Sequence, residues 1–200
     1  MYFSPMDTSP SDIITVVSGL PRSGTSLMMK MLQAGAGLET VTDNIRKADE
    51  DNPNGYFEDQ RVKKLRDDNS WIGEARGKML KVVSMLLYHL PDDFTYRIVF
   101  MQRDLREVLT SQSKMLVRRN ENQAADDAQM IKLYRKHLDH VFSYLANREN
   151  MTVCRISFNR LFADSKAELE TLEKFFGMGL NRDRMITAID PKLYRRRASV

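Results

Sequence analysis

Two stretches of this 200-residue chain carry residue types at spacings that suit anion chemistry. The first is Gly19-Leu20-Pro21-Arg22-Ser23-Gly24-Thr25-Ser26. Its glycines stand as G-x-x-x-x-G between a β-branched run, Ile13-Ile14-Thr15-Val16-Val17, and a helix-forming stretch that begins at Ser26. A strand feeding a glycine turn and then a helix is the context in which such a loop holds phosphate. Glycine lets the backbone turn tightly around an anion, the N–H groups of residues 23–26 face it, and the helix N-terminus adds partial positive charge. Ser26 fills the Ser/Thr position of the loop, and Pro21, Ser23 and Thr25 complete it. Thr25 stands where a Walker-type loop has its lysine, and the cation lies inside the loop at Arg22. A guanidinium presents a planar fork of donors to a tetrahedral oxyanion. The plainer alternative is a turn that only joins strand to helix.

The second stretch is Arg103-Asp104-Leu105-Arg106-Glu107-Val108-Leu109-Thr110-Ser111. Arg103 closes the apolar run of residues 96–101, and Ser111 follows about two helical turns later. With a strand ending near 103 and a helix starting near 104, both side chains can face one ligand from the sheet edge that holds the first loop. The plainer alternative makes Asp104 a helix N-cap, Arg103 a surface charge and Ser111 an exposed helix residue.

These groups need a frame that delivers them to one edge. The sequence predicts strands at residues 13–17, 79–83, 96–101 and 151–156, with a short ambiguous apolar run at 86–90. Helices are predicted at 26–33, stopped by Gly35 and Gly37, and at 59–68, 104–119, 124–147, 166–176 and 182–189. Polar breaks fall at Asn52-Pro53-Asn54-Gly55 and Asn120-Glu121-Asn122. Strands alternating with helices imply an α/β fold, a mostly parallel central sheet flanked by helices in three layers, which binds ligands beyond the carboxyl ends of its strands. One domain over 13–200, preceded by a loose leader at 1–12, accounts for the length. A net charge of +4, from 31 basic and 27 acidic residues, suits a small anionic ligand and gives no case for nucleic acid. Cys154 is the single cysteine, read as a buried strand residue; it leaves no intramolecular disulfide and fits a cytoplasmic, reducing compartment. No apolar run is long enough for membrane insertion.

The loop Gly-Leu-Pro-Arg-Ser-Gly-Thr-Ser resembles the 5'-phosphosulfate-binding loop of the sulfotransferase family, in the form seen in bacterial and protein-tyrosine members. The resemblance implies a P-loop fold and a co-substrate, 3'-phosphoadenosine 5'-phosphosulfate (PAPS), with no metal required. It places Arg22 where the family has its loop Lys or Arg, stabilising charge on the bridging oxygen as sulfate leaves. The family's second signature, Arg-Asp followed by Ser, binds the 3'-phosphate and maps to Arg103 and Ser111.

Sulfuryl transfer to a hydroxyl or amine also needs a base. Glu58, after Gly55-Tyr56-Phe57, is the first candidate; an Asn-Pro-x-Gly-aromatic-aromatic-Glu stretch of this kind is similar to one in bacterial sulfotransferase-like proteins. The alternative is that Glu58 and Asp59 open a surface helix, where acids are favoured. His89 is the rival, because cytosolic sulfotransferases use a histidine just after the strand that follows the loop helix. Lys78 and Lys81 flank or enter that strand, where the family often has a lysine; Lys81 supplies charge to the pocket or, on the plainer reading, lies along the surface. His137 and His140 lie on one helix without metal-ligand partners. The C-terminal Gly-x-x-Gly-x-Trp-Lys stretch of cytosolic sulfotransferases is absent, and the only tryptophan is Trp71; Tyr194-Arg195-Arg196-Arg197 covers a 3'-phosphate or is a solvated tail. A small-metabolite P-loop kinase and a non-catalytic nucleotide-binding module remain as other readings. The acceptor and the oligomeric state are not encoded in any readable motif.

Overall fold

A computed structural model describes residues 9–43, 45, 55–118 and 126–189. Most of the leader, the Asn52-Pro53-Asn54 turn, the 120–122 break and the Tyr194–Arg197 run lie outside them. Four strands, β1 (Ile13–Gly19), β2 (Met79–Val83), β3 (Thr95–Gln102) and β4 (Met151–Ser157), form one sheet in the order β2-β1-β3-β4. All three pairings are parallel. Gly19 is in register with Val83 of β2 and Met101 of β3, so the glycine loop leaves from the middle of the carboxyl edge.

Alternation along the strands divides the core into two faces. Val17, Met79, Val99, Met101, Cys154 and Ile156 point to one face, under Met28, Met29, Met31 and Leu32 of α1 (Thr25–Ala36). The same face is covered by α4 (Phe158–Ala163), α5 (Ser165–Phe176) and α6 (Arg182–Thr187). Ile14, Val16, Leu80, Val82, Tyr96, Ile98 and Phe100 point to the other. They meet Val141 and Leu145 of α3 (Asp127–Ala146), with Trp71, Ile72 and Leu87 from 3-10 turns. The remaining helix, α2 (Leu105–Arg118), starts where β3 ends. Burial and the neighbouring Glu168 push the Cys154 thiol up to about 11, which makes it a packing residue.

Two elements differ from the sequence expectation. Helix α1 passes through Gly35 and stops at Ala36, capped by Gly37 at φ 66°. A side chain at Gly35 would run into Met185 of α6, so this glycine permits a helix–helix contact and is not a stop. Residues 59–68 form only a 3-10 turn, Gln60–Lys64, and not a helix. Only Val62 and Leu65 of this charged stretch reach the core, too little apolar face to hold several turns. Asp59 instead folds back onto Arg61, which lies over the Trp71 ring at 4.3 Å. That guanidinium holds the Asp59 carboxyl below its ordinary range.

Candidate active site

The phosphate loop is shaped by close packing at both glycines. Gly19 sits at φ 150°, and a Cβ there would lie 2.6 Å from the Met101 carbonyl oxygen. Gly24 sits at φ 98°, and a Cβ there would lie 2.8 Å from Cε2 of Phe158. No other residue type fits either place. Helix α1 begins directly after Gly24 with no side-chain cap, so its first N–H groups open toward the loop. The hydroxyls of Ser18 and Ser23 are buried and have no hydrogen-bond partner among the described residues. A buried unpartnered hydroxyl costs free energy, and an oxyanion bound at the Ser23 end of the loop would satisfy it. The residues present therefore fit a phosphate or sulfate group.

The two sequence stretches meet through Arg22 and Arg103. Arg22, at φ 70°, donates from Nε to the Ser111 Oγ at 3.0 Å. Arg103 donates from Nη1 to the Arg22 carbonyl oxygen at 3.2 Å. The Arg103 side chain is only 7% exposed, paired through Nε with Glu107 at 2.9 Å and stacked on Phe158 at 4.2 Å. Asn159 donates to the same Glu107 at 3.1 Å and accepts from the Asp104 N–H at 3.1 Å. Asp104 caps α2 by accepting from the N–H groups of Arg106 and Glu107. The plain reading is thus right for Asp104 and wrong for its neighbours, because Arg103 and Ser111 are both buried at the sheet edge.

A third cluster forms around Lys81, which is 8% exposed. This corrects the expectation of a surface lysine. Lys81 follows Met79 by two residues in β2 and so points to the α1 face. Its Nζ donates to Ser26 Oγ at 3.1 Å, to Glu58 Oε1 at 3.3 Å and to the Tyr56 carbonyl. The phosphate loop and Glu58 are thereby joined through one ammonium. Glu58 does not open a surface helix. Its carbonyl accepts from Thr42 Oγ1 at 3.0 Å and from the Asp43 N–H at 3.2 Å. Residues 40–43 in turn run beside β2, with Val41 N–H donating to the Met79 carbonyl.

His89 lies apart from this assembly. It ends the 3-10 turn Ser84–His89, and its carbonyl accepts from Asn69. Two residues on, the Pro91 carbonyl accepts from Tyr96 near the start of β3, so the chain at His89 is already returning to the opposite sheet edge. Lys78 pairs at the surface with Glu39. Sequence reasoning did not foresee Phe158, Asn159 and Glu107 as supports of Arg103. Lys81 had no local signal, because β2 is buried on both faces and its alternation does not say which face lies under α1. No group of three metal-ligating side chains occurs among the described residues. No described helix is long and apolar enough to cross a membrane.

The arrangement brings two arginines and a lysine to one sheet edge, with the Glu58 carboxylate beside the loop. Comparison with known proteins follows the same line. The sulfotransferase domain family matches residues 11–191. In structure, the chain is similar to the sulfotransferase domain of the Synechococcus PCC 7002 olefin synthase, at TM-score 0.51 and 16% identity, over 98% of this chain and 87% of that one. It is also similar to a sulfotransferase domain of the curacin biosynthetic pathway, at TM-score 0.47 and 13% identity, over 90% of this chain and 76% of that one. Mouse sulfotransferase SULT7A1, solved with PAP, aligns at TM-score 0.47 and 16% identity, over 91% of this chain and 63% of that one. No curated protein matches in sequence. With a glycine loop of the expected form and a family match over residues 11–191, this protein belongs to the sulfotransferase domain family.

Proposed function

We propose that the protein transfers a sulfuryl group from PAPS to a hydroxyl or amine acceptor and releases 3'-phosphoadenosine 5'-phosphate (PAP). The observation that carries this is the link between its two anion sites, Arg22 to Ser111 and Arg103 to the Arg22 carbonyl. A 5'-phosphosulfate in the loop and a 3'-phosphate at Arg103 and Ser111 use both at once, whereas ATP has no 3'-phosphate to offer. Thr25 in the lysine position also disfavours a kinase.

PAPS supplies an activated sulfuryl group on a phosphate leaving group. In the proposed reaction Glu58 takes the acceptor proton as the acceptor oxygen or nitrogen bonds to sulfur. The bond from sulfur to the bridging oxygen breaks, and its electron pair stays on the 5'-phosphate. Arg22, the α1 N-terminus and the Ser23–Ser26 backbone stabilise that charge. Lys81 holds Glu58 against the loop through Ser26. A single domain over residues 13–200 and a cytoplasmic location belong to the same proposal; the location rests on the lone, buried cysteine.

Thermal melting with PAP and with Mg-ATP tests the donor. A ligand at 100 times its Kd stabilises the fold by about 2.7 kcal/mol. PAP is expected to raise Tm and Mg-ATP to leave it unchanged; an equal or larger shift with Mg-ATP overturns the donor assignment. Transfer of label from 35S-PAPS to a panel of acceptors tests the activity.

A further inference from the structure

Among the described residues, two that are not glycine occupy the left-handed backbone region, Arg22 at φ 70° and Phe57 at φ 48°. Arg22 is accounted for by the phosphate loop it belongs to. Phe57 lies in a segment with no regular structure, directly before Glu58. A side chain with a Cβ is strained there, and such strain persists only where the surroundings over-determine it.

The surroundings of Phe57 do so from three sides. Before it, Tyr56 is 5% exposed and gives its carbonyl to the Lys81 ammonium. After it, Glu58 is fixed by two hydrogen bonds to its own carbonyl, and Asp59 is buried against Arg61. The Phe57 ring itself packs on the α1-face core. The left-handed step between these anchors lets one ammonium meet both the carbonyl of residue 56 and the carboxylate of residue 58. Glycine takes this conformation without strain, and Gly55 already supplies it two residues earlier at φ 81°. A phenylalanine in the same region adds an anchor against the core, at the cost of backbone freedom.

We propose that Phe57 is a positioning residue for the acceptor base: its half-buried ring, packed against the α1-face core, holds the left-handed step that sets the Glu58 carboxylate on Lys81 at the mouth of the phosphate loop. The proposal rests on the reading of Glu58 as base, and it makes a structural claim that can be read without turnover. The Phe57→Gly variant removes the ring and keeps the permitted backbone; Phe57→Tyr keeps the ring. Phe57→Asn, which also tolerates left-handed backbone, gives the same test should the glycine variant not fold.

The experiment is amine-reactive labelling of the full chain read by mass spectrometry, with partly exposed Lys78 as internal reference, alongside the PAP melting shift and the steady-state constants. In Phe57→Gly, Lys81 labelling relative to Lys78 is expected to rise about tenfold through local opening of the turn. The PAP melting shift should persist, and kcat should fall with the KM for PAPS unchanged. Phe57→Tyr should restore both Lys81 protection and kcat. Lys81 protected equally in Phe57→Gly and in the unaltered protein overturns the proposal. A rise in labelling with kcat unaltered upholds the positioning role and overturns Glu58 as the base. A general rise in labelling with loss of the PAP shift marks Phe57 as a packing residue only and also overturns the proposal.

Discussion

The donor side and the acceptor side of the site are built by different means. On the donor side, the functional residues sit at junctions of regular elements or within the first two turns of the helices that follow them. Arg22 and Ser23 lie between β1 and α1, Arg103 lies between β3 and α2, and Ser111 is two turns into α2. Parallel register brings those junctions together, because Gly19 is level with Met101. On the acceptor side, Glu58 lies in irregular chain more than a dozen residues beyond α1, and its place depends on bonds to residues 42, 43 and 81. The donor side is therefore held by the fold itself, and the acceptor side by a few tertiary hydrogen bonds. Substitutions should divide along that line: donor-side changes affect affinity and chemistry together, and acceptor-side changes affect chemistry alone.

The largest expected effect tests the acceptor side. Glu58→Gln removes the base and keeps its shape. A positioned base contributes about 100- to 10,000-fold, so turnover should fall by that range. PAP should still raise Tm by the amount seen without the substitution. Loss of the PAP shift in this variant erases the division between the two sides, since it makes Glu58 a donor ligand.

Next is Arg22→Ala, where both measurements should fall. Loss of one preorganised donor to a developing oxyanion costs about 100- to 1,000-fold in turnover. The variant also removes the bond to Ser111, so PAP affinity should drop in the same assay. Full turnover with weakened PAP binding identifies Arg22 as a binding residue only.

Arg103→Ala sharpens the donor side further by separating its two phosphates. A charge-assisted hydrogen bond is worth about 1.5–3 kcal/mol, and that loss is expected for PAP and not for 5'-AMP, by calorimetry. Glu107 is buried beside Arg103 and would lose that ion pair, so the free protein should also lose stability. Arg103→Ala combined with Glu107→Gln should recover that stability without recovering PAP affinity. Equal losses for PAP and 5'-AMP place no 3'-phosphate at Arg103.

The same division explains what the sequence revealed. Strand-loop-helix junctions are local, so Gly19, Arg22, Gly24 and Ser26 announce themselves by spacing, as do Arg103 and Ser111 by helical period. The four strands were legible because each is a short apolar run between breakers, and their edge placed the site. Lys81 was misread because a lysine in a strand has two faces to choose from, and only the register with β1 shows that its face lies under α1. Phe158 and Asn159 were invisible as site residues. They follow β4 at the end of the chain's path through the sheet, and nothing local in them specifies a contact with Gly24 or Glu107. Glu58 stands out in sequence by the turn and aromatic pair before it and by its likeness to a sulfotransferase-like stretch, not by any period. No periodicity positions a residue whose partners are some 16 and 23 positions away in either direction.

The smallest expected effect concerns the face behind the site, and it bounds how far the acceptor side extends. His137 on α3 lies with Nε2 2.9 Å from the Ser84 hydroxyl, which is fully buried just past β2. Burial, and then the neighbouring His140, lower the His137 pKa from its ordinary value. The native state therefore favours the neutral ring. A histidine with a depressed pKa contributes stability that is complete above its ordinary value of about 6.5 and is lost as pH falls from there through the folded value. One hydrogen bond of this kind is worth about 0.5–1.5 kcal/mol net. His137→Gln should thus lower Tm at about pH 7.5, and the gap to the unaltered protein should narrow as pH falls below about 6.5, since protonation of the histidine removes the same advantage. The bond joins α3 to the turn after β2 and touches neither Arg22 nor Lys81, so the PAP melting shift and turnover at neutral pH should not change. A stability gap that does not vary with pH means that the ring acts by packing alone. A fall in kcat instead carries the acceptor side across the sheet edge to α3, and the boundary drawn at Lys81 moves with it.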